Sequence, residues 1–159
     1  MLDFVAKFTS KKIEFVKIGN RYFLANKELE SYRLEQKEKW FGLFLGEDIN
    51  DEFKPSFGLL DWLSENSTEK VFVKDIGETD FLYGKTLRAR HIDHVNGETK
   101  IGFIKLIQNI NDENLGYGKI VGDFTKTEQV IKPRMDRGLM LKREKKKFKK
   151  KEADVLLDF

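Results

Sequence analysis

The chain has no cysteine and only two prolines and two histidines. Without thiols it can build neither a disulfide scaffold nor a thiolate metal site. Histidines His91 and His94 are flanked by Ile92, Val95 and an Asn96-Gly97 turn, which reads as a strand. Residues three apart on a strand point to opposite faces, so the pair cannot share a metal. No apolar run approaches the roughly 20 residues that cross a bilayer. The opening MLDFVAKF is too short and too weakly apolar for a secretion signal. There is no Gly-x-Ser-x-Gly elbow, no Walker loop and no helix of paired carboxylates. Gly116 and Gly118 form a GxG, but Gly122 falls one place too late for a dinucleotide fingerprint. The acidic stretch Glu47, Asp48, Asp51, Glu52 has Phe53 where a calcium loop needs Gly and Leu59 where it needs Glu, so it reads as an exposed loop. These absences lead us to expect a soluble, monomeric, cytoplasmic protein with no metal, no cofactor, no membrane contact and no catalysis.

What is present is charge and phenylalanine. Lys+Arg number 30 against 27 Asp+Glu, for a net of +3, and there are fourteen Phe to build a core. The charge is unevenly placed. Residues 142–152 carry eight Lys/Arg and two Glu, a local net of +6, which leaves −3 for the remainder. A mildly acidic body therefore bears a concentrated cationic end. Such a block is either a solvated tail or a contact for a polyanion, since lysines hold phosphate without exacting geometry.

Periodicity divides the chain. KKIEFVKIGNRYFLAN reads as a hairpin hinged on Gly19-Asn20, and Asn26 caps a helix through about Gln36. Trp40–Gly46 reads as a short buried strand, and from Phe53 a strand leads into a helix whose apolar face is Leu59, Leu60 and Leu63. SENSTEK at 64–70 is polar and hinge-like. Beyond it short strands follow: 71–74, then HIDHV joined by Asn96-Gly97 to KIGFIKLIQN, then 115–121, and finally GLMLKR at 138–143. Short strands separated by turn signals predict a small, closed or nearly closed β-barrel. Basic residues dot this half. Arg88 and Arg90 share one face of an extended chain, as do Lys132 and Arg134. Tyr83 and Tyr117 are expected to be core aromatics.

The stretches VFVKDIGETDFLYGKTLRARHI, DENLGYGKI and MDRGLMLKRE resemble a PUA domain. Upstream, WFGLFLGE and FKPSFGLLDWL resemble the module that precedes this domain in archaeal and eukaryotic large-ribosomal-subunit biogenesis factors, which bind pre-ribosomal RNA. The resemblance runs from about Asn20 to Glu144. It implies an α+β chain with an N-terminal small α/β module at 1–69, a C-terminal PUA-like β pseudo-barrel at 70–144 and a basic tail with an apolar end at 145–159. It also implies a non-enzymatic protein contacting rRNA, single-stranded or irregular, with protein partners in pre-ribosome assembly and a nucleolar location if the cell is eukaryotic. The implied RNA face includes Arg137, Lys142 and Arg143 around the 136–138 turn, flanked by Lys85, Arg88 and Arg90. Lys132, Arg134, Lys145 and Lys146 extend it. Gly84, Gly116, Gly118 and Gly138 match family glycines, where a missing side chain suits tight turns and close RNA approach. Ala89-Arg90 stands where the family has a small-Gly pair, and the FKKKEADVLLDF extension lies outside the family pattern. Two other classes stay open: a protein-interaction adaptor, docking through exposed aromatics or the terminal ADVLLDF, and an accessory RNA-binding subunit for a tRNA or rRNA modification enzyme.

Overall fold

The computed structural model describes residues 1–36, 42–139 and 142. The chain forms two compact units, Met1–Lys70 and Val71–Phe159. Trp40 and Phe41, and Arg143, Lys145, Lys146 and the rest of the tail, lie outside the described residues.

The first unit is an antiparallel meander, β1 (Phe15–Ile18), β2 (Arg21–Leu24), β3 (Leu43–Ile49) and β4 (Glu52–Pro55), in that spatial order. Gly19 turns β1 into β2 at φ +60°, at the first central position of a two-residue hairpin that favours glycine. A short helix, α1 (Leu2–Val5), opens the unit. Helix α2 (Lys27–Gln36) follows β2 and is capped as expected, with Asn26 Oδ1 accepting the Leu29 N–H at 2.9 Å. Helix α3 (Phe57–Asn66) buries Leu59, Leu60 and Leu63 together with Phe23 and Leu45 in the core. Its cap is Ser56, whose Oγ accepts the Leu59 N–H at 3.1 Å and donates to Phe44 O at 2.5 Å.

Two expectations change here. The strand predicted at Trp40–Gly46 runs instead from Leu43 to Ile49, and Leu45 and Gly46 are its buried residues. The acidic loop is mostly strand. Only Asn50 and Asp51 turn, both at positive φ, the type that Asn and Asp tolerate. Asp48 is thereby held in the sheet, accepting from Tyr22 Oη at 2.7 Å and Lys17 Nζ at 3.0 Å, and these bonds keep its pKa low.

The second unit is a six-stranded, nearly closed barrel-like sheet in the order β6-β10-β9-β8-β5-β7. Its elements are β5 (Lys70–Val73), α4 (Asp75–Leu82), β6 (Leu87–Arg88), a 3₁₀ turn (Ala89–His91), β7 (Ile92–Val95), β8 (Ile104–Gln108), β9 (Asn114–Ile120) and β10 (Gln129–Asp136). Val71, Val73, Leu87, Ile107, Leu115, Ile120, Val130 and Ile131 fill the interior, and α4 adds Phe81. Mixed helices and strands around this pseudo-barrel make the fold class α+β.

Four expectations for this half are corrected. Helix α4 occupies a stretch, between the strands expected at 71–74 and at HIDHV, for which no helix was expected. The Asn96-Gly97 turn does not make a hairpin, because β7 and β8 lie on either side of β5 rather than against each other. The closing strand is β10, not 138–143, and Leu139 and Lys142 are helical. Pro133 fits inside β10 because β6 pairs only as far as Ile131 and a register shift separates Pro133 from Met135. Finally, Arg90 lies in the 3₁₀ turn, so Arg88 and Arg90 do not share a strand face.

Candidate nucleic-acid interface

The polypeptide leaves α4 through Gly84, whose φ of +74° is natural only to glycine. The Gly84 N–H donates to Phe81 O at 2.8 Å, which closes the last turn. Around this exit the chain collects cations, each positioned by a carboxylate. Lys85 Nζ lies 2.7 Å from Asp80 Oδ1 and Lys142 Nζ lies 2.6 Å from Asp136 Oδ2. The two lysines flank Gly84: a Cβ built there would sit 3.1 Å from Lys142 Nζ. Asp136 also accepts the Gly138 N–H at 3.0 Å, so one carboxylate organises both the turn after β10 and the lysine that follows it.

Arg88 stands at the other end of β10, opposite Gln129, with its guanidinium 2.8 Å from Glu128. It is linked to the α4 exit through His91, which is buried. His91 Nδ1 accepts the Arg88 N–H at 3.3 Å, and Nε2 faces Asp80 Oδ2 at 3.7 Å. With Nδ1 accepting, the neutral ring carries its proton on Nε2, so the Arg90 Nε at 3.4 Å is a close polar contact rather than a donor to that nitrogen. Burial lowers the His91 pKa, and Arg90, Arg88 and Lys85 add to the effect against the opposing pull of Asp80. Asp80 is held low chiefly by its hydrogen bond from Lys85, with His91 and Arg88 contributing. Asp80 is thus the shared counter-charge of Lys85, Arg88 and His91.

The structure therefore gathers Lys85 and Arg88 around Asp80, sets Arg90 beside His91, and brings Lys85 and Lys142 to either side of Gly84. Lys132 and Arg134 are exposed farther along β10. Arg137 is half-buried, and its N–H donates to Leu115 O at 3.0 Å. Lys119, which the sequence reading passed over, lies opposite Lys132 in the register of β9 and β10. Its signal was present, as an outward position in an alternating strand. His94 stacks on Phe72 with ring centroids 4.2 Å apart, far in role from buried His91. Among the described residues no group of three or more His, Cys, Asp or Glu could hold a metal.

Two site expectations change. A Cβ at Gly116 would overlap Met135 O, one at Gly118 would sit 2.6 Å from Ile131 Cγ2, and one at Gly138 would overlap Leu82 O. These glycines admit the chain's own neighbours rather than a ligand. Gly84 differs, with only the tips of Lys142 and Asp136 near it. Tyr83, expected in the core, is 38% exposed beside Gly84.

A nearly closed small barrel with an inserted helix and cations gathered at the helix exit is a PUA architecture. Residues 69–145, just under half of the chain, match the model of the UPF0113 PUA domain. Over 68 residues the chain is 29% identical to the 60S ribosome subunit biogenesis protein nip7 of Schizosaccharomyces pombe (strain 972 / ATCC 24843). That alignment takes in 43% of this chain and 38% of the yeast protein, so the chain matches well under two thirds of its relative. A conserved PUA domain protein from Thermoplasma acidophilum shares the fold, with a TM-score of 0.56, 16% identity and 89% of each chain covered. No helix among the described residues is long and apolar enough to cross a membrane.

Proposed function

We propose that this protein is a non-enzymatic RNA-binding factor of large-ribosomal-subunit assembly, acting on pre-rRNA where ribosomes are built. The observation that carries this reading is the pair Lys85 and Lys142 on either side of Gly84 at the exit of α4, with Arg88 sharing the Asp80 counter-charge, within the segment that matches a PUA domain model. The Lys85 side chain is well exposed, and exposed ion pairs contribute about 0–1 kcal/mol. A phosphate can therefore draw Lys85 from Asp80 at little cost, while Asp136, nearly buried, keeps Lys142 in position. The likeness to the yeast 60S biogenesis protein supports the ribosomal assignment. Exposed Tyr83 beside the lysines favours irregular or single-stranded RNA, whose unstacked bases a side chain can reach. The same surface would lie against protein partners in a pre-ribosome.

The test has two parts. Crosslinking in lysate followed by sequencing should enrich large-subunit rRNA precursors; enrichment of tRNA alone would point to a modification complex and refute the ribosomal assignment. In vitro, Lys85→Glu with Lys142→Glu should reduce affinity for a single-stranded oligoribonucleotide by about 25-fold at 0.1 M salt. Each phosphate contact contributes about 0.7 to the salt slope on single strands, or roughly fivefold at that concentration. Removing residues 144–159, with their run of lysines, should flatten the slope by several units.

A further inference from the structure

The cations already placed at the α4 exit all have carboxylate partners, except Arg90. A different trio does not. Lys119, Lys132 and Arg134 have no ion-pair partner among the described residues. Lys119 and Lys132 are register partners on β9 and β10, and like charges directly opposite one another destabilise a sheet. Arg134 continues the line two residues along β10, also exposed. On the other side Lys119 faces Ile104 of β8. At the same end of the sheet Phe103 is 43% exposed, beside exposed Ile101 and Val121. The Gly102 N–H donates to Ile120 O and the Ile120 N–H to Phe103 O, both at 2.8 Å, so Phe103 stands opposite buried Ile120 and lies on the other face of the sheet from Lys119. The Lys100 ammonium lies 5.7 Å from the centre of its ring.

We infer that the outer face of β9 and β10 is a second RNA contact, in which Lys119, Lys132 and Arg134 hold backbone phosphates. This inference rests on the RNA-binding reading above. An anion seated between the opposed lysines turns their mutual repulsion into a shared attraction. An acidic peptide could use the same cations, so poly-glutamate is the competing probe.

Lys119→Glu separates the functional cost from any structural one. It replaces a like-charge pair with a cross-strand ion pair to Lys132, so the melting temperature should hold or rise by a degree or two. Affinity for a single-stranded oligoribonucleotide should nevertheless fall about 25-fold at 0.1 M salt, with the slope reduced by about 1.4, because Lys132 is engaged as well. If the wild-type protein binds RNA through Lys85 and Lys142 while Lys119→Glu alters neither affinity nor slope, this second contact is refuted and the first reading stands. If Lys119→Glu weakens poly-glutamate as much as RNA, the face is a site for acidic protein and the RNA assignment falls. If the wild type binds no RNA, both readings fall together.

Discussion

Gly138→Ala probes the junction on which the proposed site depends. Gly138 lies against the Leu82 carbonyl at the end of α4, and a methyl group there would fall far inside van der Waals contact with that backbone oxygen. No flexible side chain can yield, so either the end of α4 or the turn after β10 must move by an ångström or more. Overpacking of this kind costs about 1–3 kcal/mol. For a domain of roughly this size each kcal/mol lowers the melting temperature by about 4–8 °C. Taking the upper half of that cost, calorimetry should show the transition of the second unit about 10–20 °C lower. The same displacement disturbs function, because the Gly138 N–H is bonded to Asp136 and the Gly138 carbonyl accepts the Lys142 N–H at 3.1 Å. Lys142 would then no longer sit over Gly84, and RNA affinity measured well below the new transition should fall about fivefold, the share of one phosphate contact at 0.1 M salt. A melting temperature within about 2 °C of wild type, with RNA affinity unchanged, would refute the idea that α4 and the end of β10 are locked through this glycine.

Two further outcomes follow from groups that the structure buries. His91 has a lowered pKa in the folded chain. Its contribution is complete above the unfolded value near 6.5 and is lost as pH falls from there toward the folded value, where the unfolded chain binds a proton that the folded chain refuses. His91→Gln should therefore flatten the decline of the urea midpoint between about pH 7 and 5; an unchanged decline would assign that pH dependence elsewhere. Ser56→Ala removes both the cap of α3 and the donor to Phe44 O, and should destabilise the first unit by about 1–2 kcal/mol in denaturant titrations.

The parts of the fold legible in the sequence are those where one local rule acts alone. Gly19-Asn20 makes a turn, Asn26 caps a helix, and Leu59, Leu60 and Leu63 share a helical face, each through interactions a few residues long. The failures lie where tertiary pairing overrides local signals. Asn96-Gly97 looks like a hairpin turn, yet β5 inserts between the strands it should join, and only the closure of the sheet dictates that. Helix α4 was missed because Gly77 interrupts its periodicity. That glycine is needed where the helix passes His91, since a Cβ there would come within 2.8 Å of the His91 carbonyl oxygen. Acidic Asp75 and Glu78 in the first turn were the overlooked sign of its start.

The candidate site was legible as a list of basic residues but not as a pattern of pairing, and pairing decides what a cation is free to do. A sequence scan weights Lys85 and Lys132 equally. Lys85 is already committed to Asp80, so its gain on meeting a phosphate is the difference between two ion pairs. Lys132 faces another lysine, and for it a phosphate both supplies a missing partner and relieves an existing repulsion. The net stabilisation per contact should therefore be larger on β9 and β10 than at the α4 exit. Under the proposed function Lys85 and Lys142, bonded to fixed carboxylates, would place the RNA as well as add to its hold. On this view neutralising Asp80 or Asp136 should strengthen RNA binding nonspecifically, because the cations they restrain would be released to any polyanion.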